Sequence, residues 1–505
     1  MRKAVYANAL AFILGIAAVG LVAAKPASTS KNAASPPVAT ATAPKGATLP
    51  AKLSQESKDC LDCHQDDNPG LYEQWGDSKH YGANVGCYEC HAANEGDTDI
   101  LKDEDHAEFQ IATIVSPKDC ARCHETEVAE FEGSHHSKAG RIMGSLDNQL
   151  AEVVEGNLGM VTAAFPQGIS AAAVNGCWQC HGSVVKVNKD GTLDPATWPN
   201  SGMGRVNPDG SEGSCTACHQ RHEFSAEQAR HPDNCGKCHM GPDHPQKEIY
   251  EESKHGIAFK AHEDELGMEN SKWVVGEDYS AAPTCATCHM SATSNQSITH
   301  NIGLRIKWNN RPPHSKQAHE TDKQWGLASA SITGDERRKR MEDVCQACHQ
   351  DNFVDGFFVQ YEALLDLYEN KYAKPGEKLY NAAVEVLKTD PTYTQFSRSI
   401  DFTWYELWHH EGRRARHAAS MQAPDYTHWH GTYELARNWQ AEFIPEIQEI
   451  IHEFKDKAPA QVAKLETVLD EVQNSPDWMW SVNKEDPAAK AEREKRRKEF
   501  LERYK

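Results

Sequence analysis

The placement of cysteine constrains this chain more than any other feature. All 16 cysteines fall into pairs separated by two residues, and a histidine directly follows the second cysteine of every pair. The triplets are Cys60, Cys63, His64; Cys87, Cys90, His91; Cys120, Cys123, His124; Cys177, Cys180, His181; Cys215, Cys218, His219; Cys235, Cys238, His239; Cys285, Cys288, His289; and Cys345, Cys348, His349. No cysteine is left over for a disulfide framework.

Each Cys-x-x-Cys-His triplet is the attachment signature of a c-type haem, in which two thiols bond the porphyrin and the histidine binds the iron. A redox dithiol or a zinc knuckle also uses Cys-x-x-Cys, but neither explains a histidine after every pair. The sequence therefore predicts eight covalent haems. Porphyrins also account for an interior that 39% hydrophobic residues would fill poorly.

Composition limits the class of partner. The 505 residues carry a net charge of -21. A chain this acidic lacks the basic footprint that supplies most of the affinity for phosphate backbones, so no nucleic-acid partner is expected. The triplets are unevenly spaced, which excludes a solenoid of equal repeats, and their short connections place the haems near one another.

Histidines outside the triplets are candidate second axial ligands. An electron-transfer haem commonly takes a second imidazole, whereas an iron that does chemistry keeps that position open. Several of these histidines repeat a short Ser-Lys-His or Ser-His-His context, and others lie between triplets. The distal-ligand candidates are His80, His106, His135, His136, His231, His244, His255 and His300. These candidates are numerous enough to give every haem iron a second axial ligand. The number of histidines therefore leaves open an electron-transfer cytochrome without enzymatic activity.

The chain divides into four stretches. Residues 1–24 predict a secretory signal, with basic residues before an apolar run and Val22 and Ala24 at the spacing of a cleavage site; an uncleaved anchor is the alternative. Residues 25–53 predict a flexible leader rich in Pro, Ala, Ser and Thr. Residues 54–350 hold every haem motif. The protein is thus expected to be exported to a periplasm or an equivalent compartment, with no membrane span after processing.

Residues 351–505 predict a helical C-terminal region. Aromatic and aliphatic residues recur at helical spacing from Phe353 to Tyr368, and again from Tyr433 to Val472 with an interruption at Pro445. These helices are expected to pack on the haem region and on neighbouring subunits. Residues 404–434 combine Trp, His and Arg at a density that suits a haem lining. The charged residues 485–505 predict a solvated helix.

Several motifs together resemble the octahaem hydroxylamine oxidoreductase family. They are the eight triplets with SCTACHQRH (214–222), RHPDNCGKCH (230–239), GPDHPQ (241–246), YSAAPTCATCHM (279–290), THNIGLR (299–305) and WHHEGRR (408–414). The resemblance implies a mainly α-helical multihaem cytochrome c with a haem-packed core and long C-terminal helices, assembled as a homotrimer. It also implies that the fourth haem, on Cys177, Cys180 and His181, is the modified catalytic haem.

In oxidative members of that family, a tyrosine of a neighbouring subunit is bonded to the catalytic porphyrin. The matching stretch is PDYTHWHG (424–431), which assigns the role to Tyr426, with Tyr433 as the alternative. The family's distal pocket uses an Asp, a His and a Tyr. By resemblance these are Asp209, His222 and Tyr279. The alternative residues for the same roles are Asp233, His231 and His244.

The resemblance therefore implies oxidation of hydroxylamine to nitric oxide or nitrite at one open haem, with the other seven haems carrying electrons to a redox partner such as a c-type cytochrome. Hydrazine oxidation to dinitrogen is a close alternative. A nitrite or hydroxylamine reductase is a further one, since reductive relatives lack the linking tyrosine.

Overall fold

We describe the protein from a computed structural model that covers residues 52–144, 153 and 173–505. The predicted signal (1–24) and nearly all of the predicted leader (25–53) lie outside these described residues. Helices dominate the described part of the chain, which confirms the mainly α-helical expectation. The only paired strands in these ranges are Trp308–Asn309 and Lys316–Gln317, which run antiparallel.

The haem-motif region consists of short helices joined by loops. Its α-helices are Gln55–Asp67, Pro69–Gly76, Lys79–Gly82, Cys87–His91, Pro117–Ala121, Glu125–Glu132, Trp178–His181, Ala226–Arg230, Pro232–Gly236, Gln246–Glu252, Lys254–His262, Cys285–His289, Ala318–Gln324 and Gly334–Gln346. Shorter 3₁₀ turns are Glu104–His106, Ala139–Gly144, Cys215–Ala217, Glu263–Glu265, Ile302–Arg305 and Ala328–Ser331. A π turn, Ala173–Cys177, leads into the fourth triplet.

The triplets sit in helical turns for a geometric reason. Residues i, i+3 and i+4 share one face of a helix, so Cys285, Cys288 and His289 point to the same side of the helix Cys285–His289. Local caps start such turns. The Thr284 hydroxyl accepts a hydrogen bond from the Thr287 amide at 3.3 Å, and the Thr287 hydroxyl accepts one from the Thr284 amide at 3.0 Å.

Three long helical rods follow residue 350, and each contains at least one π turn. The first rod joins Asp351–Tyr368, Glu369–Ala373 and Lys374–Leu387; the second joins Ser399–Glu406, Leu407–Glu411 and Gly412–Ser420; the third joins Tyr426–Tyr433, Glu434–Asn438, Trp439–Phe443 and Ile444–Phe454. The helices Pro459–Gln473 and Pro487–Glu502 come last, with the 3₁₀ turn Met479–Val482 between them.

The π turns explain why these rods run through proline. Proline lacks an amide hydrogen and its ring clashes with the carbonyl four residues earlier, which normally ends or kinks a helix. Pro375 and Pro445 each lie two residues after the end of a π turn. The sequence predicts that the helix is interrupted at Pro445. The rod instead continues to Phe454, because the wider π turn avoids the clash with the proline ring.

The C-terminal rods enclose an apolar core and also contact the haem-motif region. Trp439, Phe443 and Leu379 are among the fully buried side chains of this core. Two arginines of the second rod donate to backbone carbonyls of the haem-motif region, Arg413 to Arg311 at 2.6 Å and Arg416 to Pro312 at 3.1 Å. These bonds join the two regions.

The last helix differs from the others. Every residue from 486 to 505 is exposed, as expected for a solvated charged helix. Across residues 52–144 and 173–505, no helix is both long and apolar enough to cross a membrane.

Candidate haem and catalytic site

Thiols of different triplets adjoin one another, which shows how the motifs are connected in space. The Cys180 side chain lies beside that of Cys238, so the fourth motif adjoins the sixth. The other neighbouring pairs are Cys60 with Cys87, Cys90 with Cys120, Cys120 with Cys215, Cys218 with Cys235, Cys235 with Cys285, and Cys288 with Cys345. The motifs therefore form a line in the order 1-2-3-5-6-7-8, and motif 4 branches from motif 6.

Imidazole rings pair across the motifs at one recurring spacing. A metal–imidazole bond is about 2 Å long, so two imidazoles on opposite faces of one iron have ring centres about 6 Å apart. The observed centroid distances are 6.2 Å for His64 with His106, 6.2 Å for His124 with His80, 6.4 Å for His219 with His300, and 6.1 Å for His349 with His255. This spacing fits haems held between those rings.

The second ring nitrogen of several motif histidines is fixed by a hydrogen bond. His64 Nδ1 lies 2.6 Å from Asn68 Oδ1, and His91 Nδ1 lies 3.0 Å from the Ala112 carbonyl. Such bonds hold the ring so that Nε2 is directed at a metal. The donor set and its orientation therefore suit the c-type haems that the triplets predict.

Two distal-ligand candidates are engaged elsewhere. His135 Nε2 lies 2.5 Å from Oδ1 of the buried Asp322, whose other oxygen accepts from Arg337 at 2.5 Å. His231 Nδ1 accepts from the Asp233 amide at 3.1 Å, and its Nε2 lies 3.1 Å from Glu263. Both rings thus serve local structure through the nitrogens that an iron would need.

The sixth motif has two imidazoles at the same distance. The rings of His136 and His244 each lie 6.1 Å from that of His239. One iron offers only one distal position, so one of these two rings is available for another role. His244 also acts electrostatically on Cys180, which places it next to the fourth motif as well.

The three residues assigned to the distal pocket by resemblance have separate surroundings. Asp209 accepts hydrogen bonds from the Ser116 hydroxyl at 2.6 Å and the Ser211 amide at 2.8 Å, as in an ordinary turn. The Tyr279 hydroxyl bonds Thr287 at 2.8 Å.

His222 lies near His91 of the second motif, and burial followed by the His91 charge lowers its pKa. These contacts give Asp209, Tyr279 and His222 no common partner. They do not gather the three around the fourth motif.

A different acid and set of bases lie beside the fourth motif. Asp243 Oδ1 is 3.1 Å from His244 Nδ1, and Asp243 Oδ2 is 3.5 Å from Arg413 and 4.0 Å from His409 Nε2. Burial opposes ionisation, but His244, His409 and Arg413 hold the pKa of the Asp243 carboxyl well below its usual range.

From sequence, His409 and Arg413 are predicted to lie in a haem-lining segment, and His244 is an alternative residue for the distal pocket. Asp243 was not predicted as a site residue. The Asp-His pair in GPDHPQ was the available signal. His417 was also missed: it is half-buried near His239 and His244, and burial lowers its pKa well below the usual value.

Tyr426 opens the π turn Tyr426–Tyr433 and is only partly buried. Its ring lies 4.8 Å from that of His430. Trp429 and Tyr433 on the same turn are 51% and 49% exposed. This turn therefore presents aromatic side chains outward from the subunit.

Comparisons with known proteins agree with the motif analysis. The family described as "Seven times multi-haem cytochrome CxxCH" matches residues 208–383, "Cytochrome c7 and related cytochrome c" matches 163–240, and "Cytochrome c554 and c-prime" matches 25–92. A curated relative, the "Probable nitrite reductase-hydroxylamine oxidoreductase fusion protein" of Kuenenia stuttgartiensis, is 25% identical over 334 residues. That match covers 58% of this chain and 34% of the relative, so the chain spans about a third of the relative's length.

Solved structures share the fold. A "Hypothetical multiheme protein" superposes with a TM-score of 0.67 at 25% identity, covering 81% of this chain and 98% of that one. The "Kuenenia stuttgartiensis reducing HAO-like protein complex Kustc0457/Kustc0458" superposes with a TM-score of 0.50 at 21% identity, covering 82% of this chain and 86% of that one. The second likeness bears on fold alone.

Proposed function

Because this chain is a mainly α-helical multihaem c-type cytochrome that resembles the hydroxylamine oxidoreductase family, we propose that it oxidises hydroxylamine at the fourth motif and exports the electrons through the other seven haems. The observation that carries the proposal is the polar cluster beside Cys180. There Asp243, His244 and Arg413 meet at a branch point of the thiol network. A motif that only conducted electrons would not need a partly buried carboxylate with an imidazole and a guanidinium beside it.

The chemistry requires those bases. Oxidation of hydroxylamine to nitric oxide releases three protons and three electrons. When bound, the haem supplies an iron that takes a nitrogen lone pair and accepts electrons. Asp243 stays ionised beside Arg413 and places its negative charge 3.1 Å from Nδ1 of His244, and Nε2 of His244 is the nitrogen that would accept a proton.

Motif 6 is the exit for electrons, because it adjoins motif 4 and lies within the line of motifs. In this assignment His136 serves the sixth haem and His244 serves the pocket.

Tyr426 supports the oxidative direction. The resemblance assigns it to the cross-link with the catalytic haem of a neighbouring subunit, and its partly exposed position on an aromatic turn suits that role. The cross-link would distort the macrocycle and tune its electronics. The proposal accordingly includes a homotrimer and an exported location.

Rapid mixing tests the reaction. Oxidised holoprotein mixed anaerobically with hydroxylamine should show haem reduction on the timescale of turnover, and hydrazine provides the comparison substrate. The mass of the haem peptide that contains His181 should include a Tyr426 peptide. Haems that stay oxidised with both substrates would contradict the proposal. Turnover of nitrite with reduced protein, together with an unmodified haem peptide, would identify a reductase instead.

A further inference from the structure

Glu411 is a buried acid that the proposed pocket chemistry does not use. It ends the π turn Leu407–Glu411 and is 4% exposed. Its Oε1 accepts from Arg414 at 3.2 Å and from the Asn438 amide at 3.1 Å, whereas Oε2 has no hydrogen-bond partner among the described residues. A carboxylate oxygen buried without a partner is costly unless the group carries a proton.

Burial and the neighbouring charges together set the pKa of Glu411. Burial raises the pKa of Glu411 to about 7; Arg414 opposes this rise, while Glu406 and Glu434 add to it. Arg414 lies on the same rod, Glu406 on the preceding turn, and Glu434 on the third rod. A carboxyl with this pKa can take up and release a proton at neutral pH.

The π turn that ends at Glu411 also reaches the catalytic pocket. His409 Nε2 lies 4.0 Å from Asp243 and accepts a hydrogen bond from Arg413 at 3.0 Å. The His410 ring is centred 5.4 Å from that of His409. Burial lowers the pKa of His410 to about 4, and the Arg414 charge that it shares with Glu411 contributes. Along this turn, His409 and His410 therefore stand between the contact with Asp243 and Glu411.

The outward side of Glu411 leads to solvent. Arg414 Nη1 lies 3.1 Å from one oxygen of Glu434, and the other oxygen of Glu434 lies 3.2 Å from His430 Nδ1. The His430 side chain is 44% exposed. Arg414 contacts both Glu411 and Glu434 and so positions the two carboxylates.

We propose that Glu411 is a proton-relay residue that receives protons from the pocket beside the fourth motif and delivers them to solvent through Glu434 and His430. The inference rests on the proposed function, because that reaction generates the protons. Each hydroxylamine oxidised to nitric oxide gives three electrons to ferric haems, which an external one-electron acceptor reoxidises, and three protons to the relay. Glu411 binds one proton at a time and releases it before the next.

Glu411→Gln in the holoprotein is the decisive variant, because glutamine keeps the shape and cannot relay a proton. Glu446→Gln is the matched control: Glu446 also has a buried oxygen without a partner and a pKa raised by burial, but its other oxygen accepts a hydrogen bond from the Thr403 hydroxyl at 3.0 Å. Glu411→Asp keeps the titrating group.

Two measurements are needed. We expect Glu411→Gln to slow hydroxylamine-driven haem reduction about tenfold or more and to change its profile between about pH 5 and about pH 9. Glu446→Gln should match the wild type, and Glu411→Asp should recover part of the rate. In infrared difference spectra, a carboxyl band that titrates near pH 7 should be present in the wild type and in Glu446→Gln but absent from Glu411→Gln.

A Glu411→Gln protein with the wild-type rate and pH profile would overturn the relay. The absence of the titrating carboxyl band from the wild-type protein would also overturn it. The infrared measurement uses chemically reduced protein and needs no substrate. It therefore tests Glu411 even if the wild type fails to react with hydroxylamine, a failure that would count against the proposed function alone. If Glu411→Gln loses haem, the Glu411→Asp profile decides: a shift that follows the aspartate pKa supports the relay, and an unshifted profile overturns it.

Discussion

Asp243 and Asp209 show how two similar carboxylates acquire different roles. Both have a lowered pKa, but the causes differ. Hydrogen bonds from Ser116 and Ser211 outweigh burial and lower the pKa of Asp209, which closes a turn, whereas imidazoles and Arg413 lower that of Asp243. Only Asp243 contacts groups that can move protons beside the fourth motif. Substitution should therefore separate a catalytic acid from a structural one.

Asp243→Asn should slow hydroxylamine-driven haem reduction about 100-fold, because the uncharged amide no longer places a negative charge beside His244 and Arg413. Haem content should be unchanged. The measurement is anaerobic stopped-flow absorbance at saturating substrate. Asp209→Asn is the control and should keep the wild-type rate per haem while lowering the free energy of unfolding by about 1 to 2 kcal/mol at neutral pH.

The difference in unfolding free energy between the wild type and Asp209→Asn should become smaller as the pH falls. A group whose pKa is lowered on folding contributes stability above its unfolded pKa and loses that contribution as pH falls through the folded pKa. If hydroxylamine-driven haem reduction is slowed in Asp209→Asn but not in Asp243→Asn, the catalytic acid is Asp209 and not Asp243.

At the scale of elements, the π turns place the candidate site. Leu407–Glu411 carries His409, His410 and Glu411, and Tyr426–Tyr433 carries the proposed cross-linking tyrosine. The second of these turns packs closely on the second rod through Gly431, where an added Cβ would lie 2.6 Å from Ala415 Cα. That close approach fixes where Tyr426 emerges.

Gly431→Ala should lower the free energy of unfolding by about 1 to 3 kcal/mol, because backbone atoms cannot move aside as a flexible side chain would. The displaced turn should also reduce the yield of the Tyr426 haem peptide. Gly356→Ala is the control, since an added Cβ there meets nothing within 4 Å inside the helix Asp351–Tyr368. It should stabilise the protein by about 1 kcal/mol. Thermal unfolding and peptide mass provide the measurements, and equal behaviour of the two variants would contradict the packing argument.

At the scale of the whole molecule, charge should control the encounter with the electron acceptor. The chain carries a net charge of -21, and long-range attraction to a basic protein is screened beyond about 10 Å at 0.1 M salt. The rate of electron transfer to a basic c-type cytochrome should therefore fall several-fold as salt rises through about 0.1 M. A neutral small-molecule acceptor should show no such dependence. A salt-independent rate with the basic cytochrome would count against electrostatic steering.

The sequence alone determined the cofactor class, c-type haem, and it predicts the attachment residues, because thioether bonds and the proximal ligand lie within one helical turn. It also determined the mainly helical fold and the helical character of residues 351–505, because apolar periodicity is local. It did not determine that the rod passes through Pro445, since that depends on a wider turn set by packing.

Only the tertiary structure distinguished the histidines. His135 and His136 are neighbours in the same sequence context, yet one lies against Asp322 and the other faces His239. The pairing of His64 with His106 and the grouping of Asp243 with His409 likewise join residues far apart in the chain. A distal ligand or a proton acceptor is defined by distance to a partner on another segment, and short-range sequence patterns do not encode that distance.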